Sequence, residues 1–148
     1  VTKDEFVLSA HNPEHIHTAL EAGLQPYAEA IGLGAAIDWM QAVAKTEHEH
    51  VRQYSQQIIG TLRDAEGMHV LNAEPTPTIA FYSDKINGHL LAEALSDAGV
   101  MVRSGYFCVH YYLNHIKHYP PMIRLSLGMN NRQSDIDRFV EIIGGITR

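Results

Sequence analysis

GVMVRSGYFCVHYYLNHIKHYPPMIRLSLGMNN, Gly99 to Asn131, is the stretch on which the reading of the whole chain turns. It holds the only cysteine, Cys108, between two arginines, Arg103 and Arg124. An apolar run, Val100 to Val102, enters it and reads as a strand. A second strand-like run leaves it, with Ile123, Leu125 and Leu127 on one side and Arg124 and Ser126 on the other. Alternation of that kind puts Arg124 on the face opposite the core residues. A thiol on a turn between two strands, with a guanidinium on the second strand, is a place to hold a small carboxylate.

Working outward, the composition narrows the field. One domain is expected for 148 residues. With 45% hydrophobic residues and a formal net charge of −6, the chain is an ordinary globular sequence rather than a disordered one. Basic residues are scattered singly in a mildly acidic background, which argues against nucleic acid or an anionic membrane as the main partner. No apolar run approaches the length of a membrane span. A basic-then-apolar leader does not open the sequence, and one cysteine allows no internal disulfide, so a reducing, cytoplasmic setting is the expectation. The sequence opens on Val1, which suits a fragment of a longer protein.

Before the central stretch, Glu5 to Leu8 reads as a short strand and His15 to Ala22 as a short helix stopped by Gly23. Pro26 to Ala44 reads as a helix, with proline where a first turn tolerates it and Leu33, Ile37, Met40 and Ala44 at helical spacing. Its small residues Gly32, Gly34, Ala35 and Ala36 invite close approach by another element. Thr46 to Arg63 reads as a second helix, with Thr46 and Glu49 at capping-box spacing and Val51, Tyr54, Ile58 and Leu62 as the apolar stripe. Two short strands follow, Met68 to Leu71 and Thr78 to Tyr82. Asn87 to Ala98 is a third helix, with Leu90, Leu91 and Leu95 inward and Gly99 as terminator. After the central stretch, Ser134 is placed to cap a last helix with Asp137 at the matching position. Ile136, Phe139, Val140 and Ile143 form its stripe, and Gly144-Gly145 ends it. This order suits an α+β fold, a small antiparallel or mixed sheet covered by helices.

The V-R-S-G-Y-F-C run at 102–108 and the I-R-L-S-L run at 123–127 resemble the C-terminal signature of class V aminotransferases. The branch most similar is the cysteine desulfurase and selenocysteine lyase group. In that group an R-[ST]-G-x-x-C turn carries a sulfur-accepting cysteine, and a later arginine in an R-x-S run binds the substrate carboxylate. Leu20-Glu21-Ala22-Gly23 and the I-G-L-G-A-A-I-D run at 31–38 add to the likeness, the latter to the family's connecting helix. The resemblance implies the C-terminal small domain of a fold-type I pyridoxal phosphate enzyme, covering 25–148, with 1–24 as the remnant of a link to a missing large domain. It assigns Cys108 as sulfur acceptor and Arg124 as carboxylate ligand, with Arg103 a further substrate-side residue that holds the turn. It also implies a homodimeric parent that binds pyridoxal phosphate, takes cysteine or selenocysteine as substrate, and passes sulfur to an acceptor protein.

No lysine here follows a histidine, as the family's Schiff-base lysine does; the lysines are Lys3, Lys45, Lys85 and Lys117. The fragment alone is therefore expected to bind no cofactor and to be inactive. Other readings stay open. Cys108 beside Phe107 and Val109 can be a buried apolar side chain. The parent can be another class V aminotransferase or an epimerase with Cys108 incidental, and the chain can also be a stand-alone binding module. Arg124 can form a surface salt bridge instead of binding substrate. Ten histidines raise a metal site, but His48 and His50 are two apart on a helix and point in different directions; only His115 and His118 could meet across a turn. Tyr111 and Tyr112 are candidates to line a substrate pocket.

Overall fold

The computed structural model describes residues 23–146, without the side chains of 45–47. The expected strand at Glu5 and helix at His15 lie outside that range. The chain divides into two compact units, 1–42 and 43–148.

Helix α1 runs from Tyr27 to Asp64 without interruption. The two helices expected from the sequence are thus one. The Thr46–Glu49 spacing resembles a cap, but no proline or glycine lies between Ala44 and Val51 to break the i→i−4 ladder, and continuing it satisfies more backbone groups than stopping. In the first unit, Tyr27, Ile31, Leu33, Ile37, Trp39 and Met40 are all exposed, so the expected inward face of Leu33, Ile37 and Met40 is uncovered there. A Cβ built at Gly32 or Gly34 would meet nothing within 4 Å, so among the described residues no element makes the expected close approach.

The second unit holds the sheet. Strands β1 (Met68–Val70), β2 (Thr78–Ser83), β3 (Arg103–Gly105) and β4 (Met122–Ser126) form one antiparallel sheet in the order β1-β2-β4-β3. The expected entry strand at Val100–Val102 is displaced: Val100 and Val102 pack against the core as a loop, and pairing begins at Arg103. Alternation decides the faces. Ile79, Phe81, Ile123 and Leu125 point to the core, while Ala80 and Arg124, paired across β2 and β4, point away. Onto the buried face pack the second half of α1 through Ile58, Ile59 and Leu62, helix α2 (Gly88–Asp97) through Leu91 and Leu95, and helix α3 (Gln133–Ile146) through Ile136, Phe139 and Ile143. Phe81 and Phe139 meet edge to face at 6.2 Å.

The helix ends fit their sequences with two corrections. Asn87 caps α2, its side chain accepting from the His89 N–H at 2.9 Å. Leu90 faces outward and is 60% exposed, since Leu91 and Leu95, four apart, already define the buried stripe. Ser134 lies inside the first turn of α3. Asp135 takes the capping part instead, reaching back to the Arg132 N–H at 3.0 Å and to the Asn131 amide at 3.2 Å. Those hydrogen bonds hold its carboxyl below the ordinary carboxylate value. The two glycines at 144–145 do not end α3, which continues to Ile146.

Candidate active-site turn

Between β3 and β4 the chain makes a turn and a short π-helical segment, Tyr111–Ile116, marked by the Lys117 N–H donating to the Tyr112 carbonyl at 2.9 Å. Three features shape the turn. Gly105 has φ +109°, a conformation open to glycine and rarely to other residues. Phe107 and Cys108 are also left-handed, at φ 51° and 66°, and neither is glycine. A non-glycine residue there costs on the order of 1 kcal/mol or more, so two in a row have to be held by their surroundings. Tyr119, Pro120 and Pro121 lead into β4, and α2 begins directly against them. A Cβ at Gly88 would lie 2.2 Å from the Pro121 carbonyl oxygen, so only glycine fits.

Arg103, Cys108 and Arg124 come together at this turn. Arg103 and Arg124 are direct cross-strand partners on β3 and β4. Arg103 donates from Nη2 toward Cys108 Sγ at 3.9 Å. Arg124 lies against the ring of Phe107, 5.4 Å from guanidinium carbon to centroid. Cys108 is exposed, so the alternative of a buried apolar cysteine does not hold. Two guanidinium groups facing each other on neighbouring strands repel. Among the described residues no carboxylate pairs with either, so the salt-bridge alternative for Arg124 finds no partner there. The Nε of Arg124 is buried and has no hydrogen-bond partner among the described residues. Such a group is costly to leave unmet.

Ser104, between Arg103 and Gly105, shares a 2.9 Å hydrogen bond with His89 Nδ1 on α2. No spacing or motif signals this tie, because the two positions meet only when α2 packs beside β3.

The neighbouring aromatic residues divide. Tyr112 lines a groove of about 410 Å³ with His69, Tyr82, Leu113, Lys117 and Tyr119. Burial, with Asp84 and Tyr119 adding to it, pushes the Tyr82 phenol above its ordinary value. Tyr111 does not line that groove; it is exposed, with its ring tilted at 37° to that of His115 at 5.7 Å. Among the described residues, no three histidine, cysteine or acidic side chains gather as a metal site would require. Nor is any described helix long and apolar enough to cross a membrane.

This arrangement of small sheet and covering helices is found in pyridoxal phosphate-type folds. The Escherichia coli cysteine desulfurase CsdA superposes with a TM-score of 0.73 at 21% identity, over 84% of this chain and 31% of that one. The apo cysteine desulfurase of Thermococcus onnurineus NA1 does so with 0.75 at 20%, over 87% and 33%. Residues 4–139 match the family Aminotransferase class-V, and the chain belongs to it. The "Probable cysteine desulfurase" of Pseudomonas putida is 32% identical over 124 residues, 83% of this chain and 31% of its own length. A protein of the same description from Chlamydia muridarum is 30% identical over 137 residues, 86% and 33%. The chain thus spans about a third of the length of the relatives it matches. One further structural neighbour, a variant of the C-S lyase C-DES (TM-score 0.61), carries glycine covalently linked to its PLP cofactor.

Proposed function

We propose that this chain is the small domain of a pyridoxal phosphate-dependent cysteine desulfurase, in which Arg124 binds the substrate carboxylate and Cys108 accepts sulfur. The observation that supports the reading most is the meeting of an exposed thiol with two facing arginines that lack a carboxylate partner among the described residues, one of them with a buried, unmet Nε. A guanidinium takes a carboxylate through two parallel hydrogen bonds, which fixes the orientation of the amino acid. Arg103, against Cys108 Sγ, supplies the cation that favours a thiolate and holds the turn.

The described lysines do not fit a Schiff base. Lys85 pairs with Glu66 at 2.9 Å, and Lys117 lies over the Tyr112 ring, both on the surface. The cofactor would be anchored by sequence of the relatives' length that this chain does not span, and the chain alone is inactive. Bound pyridoxal phosphate supplies the electron sink that loosens bonds at the substrate's α- and β-carbons. Cys108 then does this chain's part: an S–S bond forms at its Sγ as the substrate's C–S bond breaks, and the electron pair of that bond stays with carbon. The persulfide is passed to an acceptor protein. We further propose a cytoplasmic homodimer, with cysteine as substrate and selenocysteine as an alternative one.

The test is sulfide release from L-cysteine under a thiol reductant, by the family-length protein carrying this chain and loaded with pyridoxal phosphate. Cys108→Ala abolishes release if the reading is right. Undiminished release would show that sulfur leaves the substrate without Cys108 and would contradict the reading; amino-acid turnover that yields no sulfide and survives Cys108→Ala would favour a transaminase or epimerase with an incidental cysteine.

A further inference from the structure

Phe107 stands between the two groups to which the proposed function gives separate tasks. Its ring packs on the Arg124 guanidinium at 5.4 Å, and its peptide bond leads directly into Cys108. The left-handed φ values of both residues mean that the turn is not held by its own preference. The Val109 N–H closes the turn on the Tyr106 carbonyl at 2.8 Å, and two side-chain contacts add to that: the ring on Arg124 from one side and the Arg103–Sγ contact from the other. Arg103 and Arg124 are themselves cross-strand neighbours, so the two contacts are set at one fixed spacing by the β3–β4 register.

We propose that Phe107 is a positioning residue that couples the anion site to the thiol. The state of the Arg124 guanidinium sets how Phe107 is held, and Phe107 sets the conformation in which Cys108 is presented. A change at the Arg124 guanidinium, carboxylate binding included, then changes the reactivity of the Cys108 thiol through the ring between them. The inference rests on the reading of Arg124 as a carboxylate site, and its test separates the two.

The test is a double-mutant cycle in the 148-residue chain, read as the rate of Cys108 alkylation by iodoacetamide. Arg124→Met should change that rate at least threefold when Phe107 is present and leave it within experimental error in the Phe107→Ala background. Phe107→Tyr keeps a ring on the guanidinium and should restore the coupling, which a merely structural loss at Phe107 would not do. Strictly multiplicative effects across the cycle would overturn the proposal. A parallel titration with sodium propionate against sodium chloride, followed at the Arg124 Nε–H NMR signal, reads the anion site alone. If propionate shifts the signal but the cycle is multiplicative, the carboxylate reading survives and the coupling does not. If propionate leaves the signal unmoved, the carboxylate reading fails and the coupling as stated fails with it. Melting curves of all variants, unchanged within a few degrees, guard against misfolding as the cause.

Discussion

Cys108 is exposed beside Arg103, and Arg124 lies under Phe107 with one nitrogen unmet. The first of these facts predicts that iodoacetamide labels Cys108 in the folded chain as readily as in the unfolded one, to within about tenfold. Labelling only after denaturation would contradict it. The second predicts that Arg124→Met weakens substrate binding in the family-length protein. Hydrogen bonds to a charged group contribute roughly 1.5–3 kcal/mol, so KM should rise on the order of a hundredfold. Asp135 gives a pH prediction. Its folded-state carboxyl lies below the ordinary 3.8, so it adds stability above that value, and the contribution is lost as pH falls through the lower, folded-state value. Asp135→Asn should therefore lower the melting temperature at neutral pH, with the difference from wild type shrinking below about pH 4. A difference that stays constant down to pH 2 would show that the carboxylate is not what matters. At this scale the sequence was informative where a motif marks the residues: Cys108, Arg103 and Arg124 stand out by the resemblance of their runs to a family signature. Phe107 and His89 could not, since their roles depend on a left-handed turn and on the docking of α2.

Among the elements, β2, β4 and the three helices follow from periodicity, and the exceptions have local causes. The sequence of the long α1 suggests two helices because a capping spacing at Thr46 looks the same inside a helix as at its start. Val100–Val102 has strand composition, but Gly99 at φ 83° and the end of α2 place it as a packed loop before pairing can begin. Three leucines in one helix suggest a wide stripe that includes Leu90, whereas Leu91 and Leu95 suffice to cover the sheet. The tightest joint between elements is Gly88 against Pro121, where α2 starts beside the entrance to β4. Gly88→Ala should destabilise the fold by roughly 1–3 kcal/mol through overpacking, read as a lowered denaturation midpoint. A neutral effect would mean that this joint is looser than the geometry shows.

The molecule as a whole presents a small sheet whose one face is a hydrophobic core and whose other face carries the arginines. Phe139, fully buried against Phe81, belongs to the first: Phe139→Ala should cost about 3–5 kcal/mol while leaving the thiol turn's chemistry untouched in whatever fraction remains folded. The fold class was readable from the element order, and the family from two short motifs. The rest of a pyridoxal phosphate site was not readable, because this chain spans about a third of its relatives' length and its described lysines are engaged at the surface. The central claim is that the turn receives sulfur. The family-length protein, loaded with pyridoxal phosphate and given one equivalent of L-cysteine without reductant, should yield a Cys108 peptide heavier by one sulfur atom in its mass spectrum. Arg124→Met should greatly reduce that adduct. An unmodified Cys108 peptide, recovered while L-cysteine is consumed, would contradict the account.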